Sequence, residues 1–596
     1  MLNEFCKKPL WQTSRTLADV AMGRKPADLV VKGATLVNVC TKELIDNVDV
    51  AVAEGRIAMV GDCAHCIGEG TKVVEAHGKY LAPAFMDGHI HIESSMLTAS
   101  EYARAVLAHG TSAIFMDPHE ICNVLGLDGV RYMLEDAART PLKTILTSPS
   151  CVPAVPGFED TGASVGPEET AEMTAWKECA GLGEMMNFPG IIYSDERTHA
   201  IVGETLKAGK IVTGHYSVPE TGAGLNAYIA SGVRCCHEST REEDALAKMR
   251  LGMYAMFREG SAWHDLQEVG KSVTNHKIDS RFACLISDDA HPHTLKENGH
   301  LDHIVRRAVE YGIDPIEAIQ MVTINVAQCY QLDHELGSIA PSKCANMVLL
   351  DDLDKCIVAK VWIDGDLVAE DGKTIAKWDA YVYPDNATHS VHLSQLSEKD
   401  FEITHVGDSA KVRVIEAIGG KTSTIERFAT LPVKDGKIQT DASQDILKAF
   451  VFERHHGTGT RGFGFLKGFG IKNGALAQTV SHDAHNLLVV GTNDKDMTLA
   501  ANRLIEIGGG MIAVQDGKIL GEVPLNIAGL MSDKPLDEMV DLVANLEKAW
   551  QDMGCTLPSP FMTMSIIPLA CLPELRLTNR GLVDCRTFKF VDPIIE

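Results

Sequence analysis

The chain has 596 residues, of which 45% are hydrophobic and 23% charged, and its formal net charge is -26 at pH 7. This length exceeds what one hydrophobic core supports, so we expect two or three domains. The negative charge argues against nucleic acid or an anionic membrane as a partner, because both would repel the protein.

The N-terminus and the cysteines predict a cytoplasmic protein. The sequence from Met1 shows no apolar signal segment with a small-residue cleavage site, and no later stretch stays apolar for the length of a membrane span. The sixteen cysteines follow no regular framework, and several lie in apolar runs, as reduced core thiols do. The pair in Cys63-Ala-His-Cys66 has zinc-like spacing, but no second close pair accompanies it, so we favour plain thiols there.

Short apolar runs separated by turns lie on both sides of the central region. Glu54-Gly55 in the first flank and Asp364-Gly365 in the second have the polar-glycine form of a tight hairpin connection. The sequence therefore predicts one small β-sandwich domain that is built from residues 1–80 and 341–390.

Residues 81–340 alternate strand candidates with amphipathic helix candidates. Repeated strand–helix units imply parallel strands joined by right-handed crossovers, and this region has the length of an α/β barrel. We therefore predict a (β/α)8 TIM-like barrel. The predicted helices are 99–109, 240–251 and 301–311, and the predicted strands include 112–116, 143–147, 190–193, 210–214 and 282–287.

Residues 391–596 predict a third domain of the α+β class. Asp435-Gly436 and Asp516-Gly517 indicate two hairpins, and hydrophobic periodicity indicates helices over 497–507 and 536–553. The glycine-rich segment 456–470 matches neither common phosphate-binding motif, so we interpret it as a flexible loop.

The most informative residues are His89 and His91, which lie two positions apart in an apolar run. On a β-strand both imidazoles face the same side and can hold one metal ion. Burying two histidines in an apolar strand without a strong partner is costly, which favours ligands over ordinary core residues. The pair lies near the carboxyl end of its predicted strand, where active sites of α/β barrels are found.

Other candidate ligands follow other predicted strands. Taken singly, Glu184 could cap a helix, and His215 or His237 could be an ordinary loop histidine. A barrel would nevertheless bring all of them to one end. The candidates are Asp117-Pro-His-Glu120, Glu184, His215, His237 and Asp288.

The order His-x-His, carboxylate, His, His, Asp along successive strands resembles the ligand order of the amidohydrolase superfamily over residues 81–290. Within that superfamily the chain is most similar to the adenine deaminases. In most binuclear members a carboxylated lysine bridges the metals, whereas here Glu184 takes that position, and a carboxylate needs no modification to bridge. Cys344-Ala-Asn346 departs from the family pattern, which more often has Ala-Asp. The segments that carry the resemblance are residues 89–96, 117–126, 182–187, 287–289 and 481–494.

The resemblance implies hydrolysis of adenine to hypoxanthine and ammonia, by attack of a metal-bound hydroxide at C6. It implies two divalent metal ions per subunit, which could be manganese, iron or zinc. It also implies a purine base as the substrate and a homo-oligomeric assembly. We assign His89, His91 and Asp288 to one ion, His215 and His237 to the other, and Glu184 to the bridge.

The predicted catalytic roles rest on acid–base chemistry. Asp288 can accept the proton of the attacking hydroxide and pass it to the leaving amine, although Asp289 could take this place instead. Glu120 is the first candidate for the acid that protonates the ring nitrogen, and Glu93 is the second. His119 could orient the substrate, hold a further ion with Asp117 or support a ligand. The candidate catalytic residues are Asp288, Glu120, Glu184 and His119, and the candidate substrate-binding residues are Glu93, Asp289, Asp483 and His485.

Two other functions remain open at this stage. A cyclic-amide hydrolase of the dihydroorotase or hydantoinase kind would share the barrel and ligands, but Glu184 in place of lysine counts against it. A metal-binding scaffold without activity would not be expected to keep every candidate ligand.

Overall fold

The computed structural model describes residues 5–419, 421–557 and 560–595. The first flank contains α1 (Leu10–Ala21) and a set of strands that form part of one sheet. Glu54 and Gly55 connect two of these strands with φ values of 55° and 80°, the left-handed backbone that a tight polar-glycine turn requires. The strands are β1 (Leu29–Asn38), β2 (Glu43–Ala53), β3 (Arg56–Gly61), β4 (Lys72–Glu75) and β5 (Tyr80–Pro83).

The central region forms a parallel sheet that closes on itself. Its last strand is divided at Ser287. The part before it, β13 (Ala283–Ile286), pairs with β12 (Tyr254–Arg258), whereas the part after it, β14 (Asp288–Asp289), pairs with the first strand, β6 (Phe85–His91). The predicted (β/α)8 barrel is therefore confirmed. The strands are β6 (Phe85–His91), β7 (Thr111–Met116), β8 (Lys143–Ser148), β9 (Cys179–Met185), β10 (Ile211–Gly214), β11 (Val233–Cys236), β12 (Tyr254–Arg258), β13 (Ala283–Ile286) and β14 (Asp288–Asp289).

Helices connect the barrel strands, and the three predicted ones are present with ends one or two residues shorter. In α12 the buried residues Leu301, Ile304, Val305 and Ala308 repeat at the spacing of one helix face. The helices are α2 (Ala99–Leu107), α3 (His119–Ala137), α4 (Pro167–Ala175), α5 (Phe188–Ile192), α6 (Glu196–Lys207), α7 (Ala223–Ala230), α8 (Glu242–Arg250), α9 (Leu266–Val269), α10 (Lys271–Thr274), α11 (Pro292–Glu297), α12 (Leu301–Glu310), α13 (Pro315–Met321) and α14 (Ile324–Cys329).

The second flank returns the chain to the first sheet. Strand β15 pairs antiparallel with β5, so the two flanks share one sheet of nine strands. Asp364-Gly365 forms the predicted hairpin between β16 and β17. These strands are β15 (Met347–Asp352), β16 (Ile357–Ile363), β17 (Asp366–Glu370) and β18 (Lys373–Thr374).

The C-terminal region combines a third sheet with packed helices, in agreement with the predicted α+β class. Both predicted hairpins are present, between β20 and β21 and between β26 and β27. The helices are α15 (Asp385–Thr388), α16 (Asp494–Ile507), α17 (Leu536–Asp552) and α18 (Pro560–Ser565). The strands are β19 (Ser409–Ala417), β20 (Thr424–Lys434), β21 (Lys437–Ile438), β22 (Leu447–Phe452), β23 (Arg461–Lys467), β24 (Ala475–Gln478), β25 (Leu487–Gly491), β26 (Gly510–Gln515), β27 (Lys518–Pro524), β28 (Leu575–Thr578), β29 (Gly581–Asp584) and β30 (Lys589–Val591).

Two predicted elements were wrong. Residues 190–193, predicted as a strand, lie mostly in α5, because the Asn187 side chain accepts a hydrogen bond from the Gly190 N–H at 3.0 Å and caps a helix. The glycine-rich segment 456–470, predicted as a loop, contains β23. A Cβ at Gly462 would lie 2.0 Å from the Thr578 carbonyl oxygen, so glycine permits close strand packing there rather than flexibility.

In the described part of the chain, we find no helix with the length and hydropathy that crossing a bilayer demands. The domain limits 1–80 with 341–390, 81–340 and 391–596 remain predictions.

Candidate metal centre and active site

His89 and His91 lie at the end of β6, and β14 lies beside them. Asp288 pairs with Ile90, and Asp289 pairs with His91. The carboxylate oxygen Asp288 Oδ1 lies 3.4 Å from Nε2 of His89 and 3.4 Å from Nε2 of His91. Asp288 has a φ of 64°, an uncommon conformation for a residue with a Cβ that is often found at functional sites. The structure thus places Asp288, rather than Asp289, against the histidine pair.

Glu184 lies at the centre of the site, at the end of β9. Its Oε2 contacts His215 Nδ1 at 2.8 Å and His237 Nε2 at 3.0 Å. Its Oε1 lies 3.8 Å from His91 Nε2 and 3.6 Å from His119 Nδ1. All six predicted metal ligands are therefore brought together at the carboxyl end of the barrel.

Contacts around the candidate ligands orient their imidazole rings. The backbone carbonyl of Asp117 lies 2.8 Å from His91 Nδ1, so that nitrogen donates its proton and Nε2 keeps its lone pair. The Asp117 carboxylate in turn accepts a hydrogen bond from the Glu184 backbone N–H at 2.8 Å. Asp117 thus contacts residues on two separate strands of the barrel, His91 on β6 and Glu184 on β9.

The carboxylates at the centre of the site are ionised. Burial opposes ionisation of Glu184, but the charges of His215 and His237 and their hydrogen bonds hold its pKa well below the usual range. Burial likewise opposes ionisation of Asp288, but the nearby imidazoles of His89 and His91 and the charge of Arg258 keep its pKa well below the ordinary value. The site therefore presents negative charge that attracts cations.

Several buried polar atoms here have no hydrogen-bond partner among the described residues: His89 Nε2, Asp117 Oδ1 and His119 Nδ1. Such atoms call for an ion or another ligand. Imidazole and carboxylate donors suit zinc, manganese and iron alike, so the residues fit a divalent metal. Three overlapping groups have donor atoms within 4.8 Å of one another: His89, His91 and Asp288; His89, Glu184 and His237; His91, His119 and Glu184.

A second polar group adjoins this centre. Ser94 Oγ contacts Glu120 Oε1 at 3.2 Å and also contacts Asp289 Oδ1. Glu93 Oε1 accepts a hydrogen bond from the backbone N–H of Ile121 at 3.2 Å. The candidate acids Glu120 and Glu93 thus lie on the barrel side of this group.

The C-terminal region supplies the other side, through the connection between β24 and β25. Asp483 Oδ1 lies 3.9 Å from His119 Nε2, and His485 Nε2 lies 3.9 Å from Glu120 Oε2. His485 is fully buried, and neither ring nitrogen has a hydrogen-bond partner in the described part of the chain. All four predicted substrate-binding residues therefore lie in or beside this second group.

Acid–base properties separate the two groups. Burial raises the pKa of Glu120 well above its ordinary value, and raises those of Glu93 and Asp483 to about 7. These carboxyls hold protons near neutral pH, whereas Glu184 and Asp288 do not. Neighbouring carboxyls with divergent pKa values are typical of an active site that needs both an acid and a base.

Comparison with known proteins bears on this arrangement. Residues 80–368 match the amidohydrolase family model, and residues 421–589 match the model of the adenine deaminase C-terminal domain. An adenine deaminase of Clostridium botulinum (strain Loch Maree / Type A3) is 65% identical over 598 residues, covering 100% of both chains. The adenine deaminase of Moorella thermoacetica is 52% identical, covering 99% of each. The chain belongs to the adenine deaminase family. A further relative, the adenine deaminase of Mesorhizobium japonicum, is 44% identical, and the match covers 98% of both chains.

Arg258 was not predicted as a site residue. It connects Asp288, the candidate base, to two other carboxylates. It ends β12, a strand that we did not predict from the sequence, and it is 7% exposed. Its Nη1 donates to Asp288 Oδ2 at 2.8 Å and to Glu238 Oε1 at 2.6 Å, and its Nη2 donates to Asp265 Oδ2 at 2.8 Å. An arginine after the apolar run 253–257 was the available signal. His482 was also missed; its Nδ1 lies 3.7 Å from Asp483 Oδ1.

Replacing Arg258 by glutamine should lower the midpoint of thermal unfolding, because three carboxylates then lose their shared cation. Breaking a buried ion pair costs about 3–5 kcal/mol. Arg258→Lys keeps the charge, so its unfolding midpoint should lie between those of Arg258→Gln and the wild type. Arg250→Gln, at an exposed arginine of α8, is the matched control. Equal midpoints for Arg258→Gln and the wild type would contradict the ion-pair role.

Proposed function

We propose that this protein hydrolyses adenine to hypoxanthine and ammonia at the carboxyl end of its barrel. The observation that carries the proposal is the convergence of His89, His91, His215, His237 and Asp288 around Glu184, in a chain of the adenine deaminase family. The match of residues 421–589 to the adenine deaminase C-terminal model favours this activity over cyclic-amide hydrolysis.

Two divalent ions per subunit would occupy the centre, as manganese, iron or zinc. His89, His91 and Asp288 would hold one, His215 and His237 the other, and Glu184 would contact both. A divalent ion bound here lowers the pKa of water to about 7 and so supplies a nucleophile near neutral pH. The geometry also brings His119 close to Glu184, so it is a further candidate ligand or a residue that orients one.

Asp288 is the proposed base. Arg258 holds its Oδ2, which leaves Oδ1 directed toward the two histidines. From that position Oδ1 takes the proton of the attacking water and delivers it to the amine that leaves C6. Although burial opposes ionisation, the nearby imidazoles and the charge of Arg258 keep the pKa of Asp288 low, so it is ionised and ready to accept that proton at neutral pH.

Glu120 is the proposed acid for the ring nitrogen beside C6, and Glu93 is second. Burial keeps a proton on Glu120 at neutral pH, which is the state that a donor needs. Asp289, Asp483 and His485 lie around it and would bind the edge of the purine. The C-terminal region thereby helps to close the site over the substrate.

The direct test uses purified protein that has been stripped with a chelator and reloaded with manganese, iron(II) or zinc. We expect metal-dependent release of ammonia and hypoxanthine from adenine, with two metal equivalents per chain. Adenosine in a parallel reaction distinguishes a base from a nucleoside as substrate. Absence of ammonia release from adenine with every metal would reject the proposed activity, and full activity with one equivalent would reject the second ion.

Glu120→Gln should lower kcat by about 10²–10⁴-fold, the usual contribution of a positioned general acid. In the wild type, kcat should fall as pH rises through the raised pKa of Glu120, because the protonated form is then lost. Glu93→Gln is the matched comparison and should cost less. Stopped assays from pH 6 to 10 measure both effects, and a larger loss for Glu93→Gln would exchange the two roles.

A cytoplasmic location and a homo-oligomeric state belong to the proposal as well. Most of the cysteines are buried in apolar surroundings, as reduced core thiols are. Light scattering coupled to gel filtration measures the assembly, and a monomer mass would reject the oligomer.

A further inference from the structure

Two cysteines meet at the opposite end of the barrel from the candidate active site. Cys6 precedes α1, and Cys344 lies in the connection that leads into β15. Their sulfur atoms and a carboxylate oxygen of Asp364 lie within 4.8 Å of one another. Lys143, the first residue of β8, places this cluster at the amino-terminal end of the barrel strands.

The two thiols have different surroundings. Cys6 is partly exposed, and its Sγ donates a hydrogen bond to the Gly55 carbonyl at 3.3 Å. Cys344 is only 2% exposed, and its Sγ donates to Glu335 Oε2 at 3.4 Å. Cys6 is therefore the thiol that a small solute can reach, and Cys344 is a buried partner beside it.

Two cations accompany the pair. Arg56 donates to the Lys8 carbonyl at 3.0 Å, and Lys143 donates to the Phe5 carbonyl, so both lie against the segment that carries Cys6. The adjacent Cys344 thiol and the charges of Arg56 and Lys143 lower the pKa of Cys6, although burial and the charge of Asp364 oppose this. Thiolates next to cations are the reactive form of cysteine.

A metal site is the weaker interpretation of this cluster. Lys143 Nζ donates to both oxygens of Asp364, each at 2.9 Å, so the carboxylate is already paired. Only the two sulfur atoms then remain as donors in this group, fewer than the four ligands of a structural zinc site.

We propose that Cys6 and Cys344 form a dithiol that hydrogen peroxide converts into a disulfide. The Cys6 thiolate attacks one peroxide oxygen, the O–O bond breaks, and sulfenic acid and hydroxide form. Cys344 then loses its proton and attacks the Cys6 sulfur, the S–O bond breaks, and the second hydroxide leaves. Both hydroxides take up the two thiol protons, so two thiols and one peroxide give one disulfide and two waters.

The product ties the segment before α1 to the connection before β15. Cys40 offers an internal comparison, since it is exposed and lies in the turn between β1 and β2, outside this cluster. Exposure alone would favour oxidation of Cys40, whereas the cluster favours Cys6.

Peptide mapping tests the proposal without reference to enzymatic activity. The reduced full-length protein is treated with hydrogen peroxide, its remaining thiols are blocked with N-ethylmaleimide, and its peptides are identified by mass spectrometry. We expect a Cys6–Cys344 cross-linked peptide that forms at least about tenfold faster than Cys40 oxidises. Oxidation of Cys40 without this cross-link would overturn the proposal.

Two variants sharpen the result. Cys344→Ser removes the resolving thiol, so a sulfenic acid should persist on Cys6 and be trapped by dimedone. Cys40→Ser is the matched control and should leave the Cys6–Cys344 cross-link unchanged. Absence of a dimedone adduct on Cys6 in Cys344→Ser would also overturn the proposal.

Discussion

Glu184→Gln is expected to reduce kcat for adenine by about a thousandfold or more. The carboxylate takes contacts from His215 at 2.8 Å and His237 at 3.0 Å, and it faces His91 and His119 through its other oxygen. A neutral amide cannot supply the charge that two cations need. Metal catalysis is worth several kcal/mol, and each 1.4 kcal/mol or so is a factor of ten in rate.

Steady-state assays and metal analysis of the same preparation measure this effect. We expect the Glu184→Gln protein to hold less metal while its circular dichroism spectrum stays that of the wild type. Glu172→Gln, at an exposed position of α4, is the matched control and should keep full activity. Unchanged activity in a folded Glu184→Gln protein would favour the scaffold interpretation.

The second large effect separates two adjacent residues. Asp288→Asn should lower kcat by about 10²–10⁴-fold, because asparagine cannot take the proton of the attacking water. Asp289→Asn should act mainly on KM, by less than about tenfold, since Asp289 contacts Ser94 rather than the histidine pair.

Full kinetic curves for both variants provide the measurement. The two substitutions have the same size and change the same charge, so each is the control for the other. Equal losses of kcat in the two variants would show that the orientation of Asp288 toward the histidines does not distinguish its role from that of Asp289. A larger loss of kcat in Asp289→Asn would assign the base to Asp289.

Local sequence was sufficient to predict much of the barrel and the candidate ligands at its strand ends. His89 and His91 share a face because side chains alternate on a strand, and that rule needs no tertiary information. Barrel strands all end at the same edge, so residues directly after apolar runs, such as His215 and His237, could be assigned to one site. The glycine-rich segment 456–470 was misjudged, because the strand that packs against Gly462 is more than a hundred residues away.

Other site residues depended on long-range packing. Arg258 and Asp288 are 30 positions apart, and their contact exists only because β12 and β13 are neighbours in the barrel. The approach of Asp483 to His119 joins two regions separated by more than 300 residues. Hydrophobic periodicity in the sequence does not predict contacts between residues that lie so far apart in the chain.

Local patterns in the chain were enough to predict the barrel, the histidine pair and the candidate hard and borderline ligands that follow its strands. These depend on hydrophobic periodicity and on the chemistry of side chains, both of which are local properties. The folded structure was needed to establish which of Asp288 and Asp289 faces the histidines, which carboxyls are buried enough to keep a proton, and that the C-terminal region reaches the site. Those outcomes depend on distance, burial and backbone direction, which are set only when remote segments pack together.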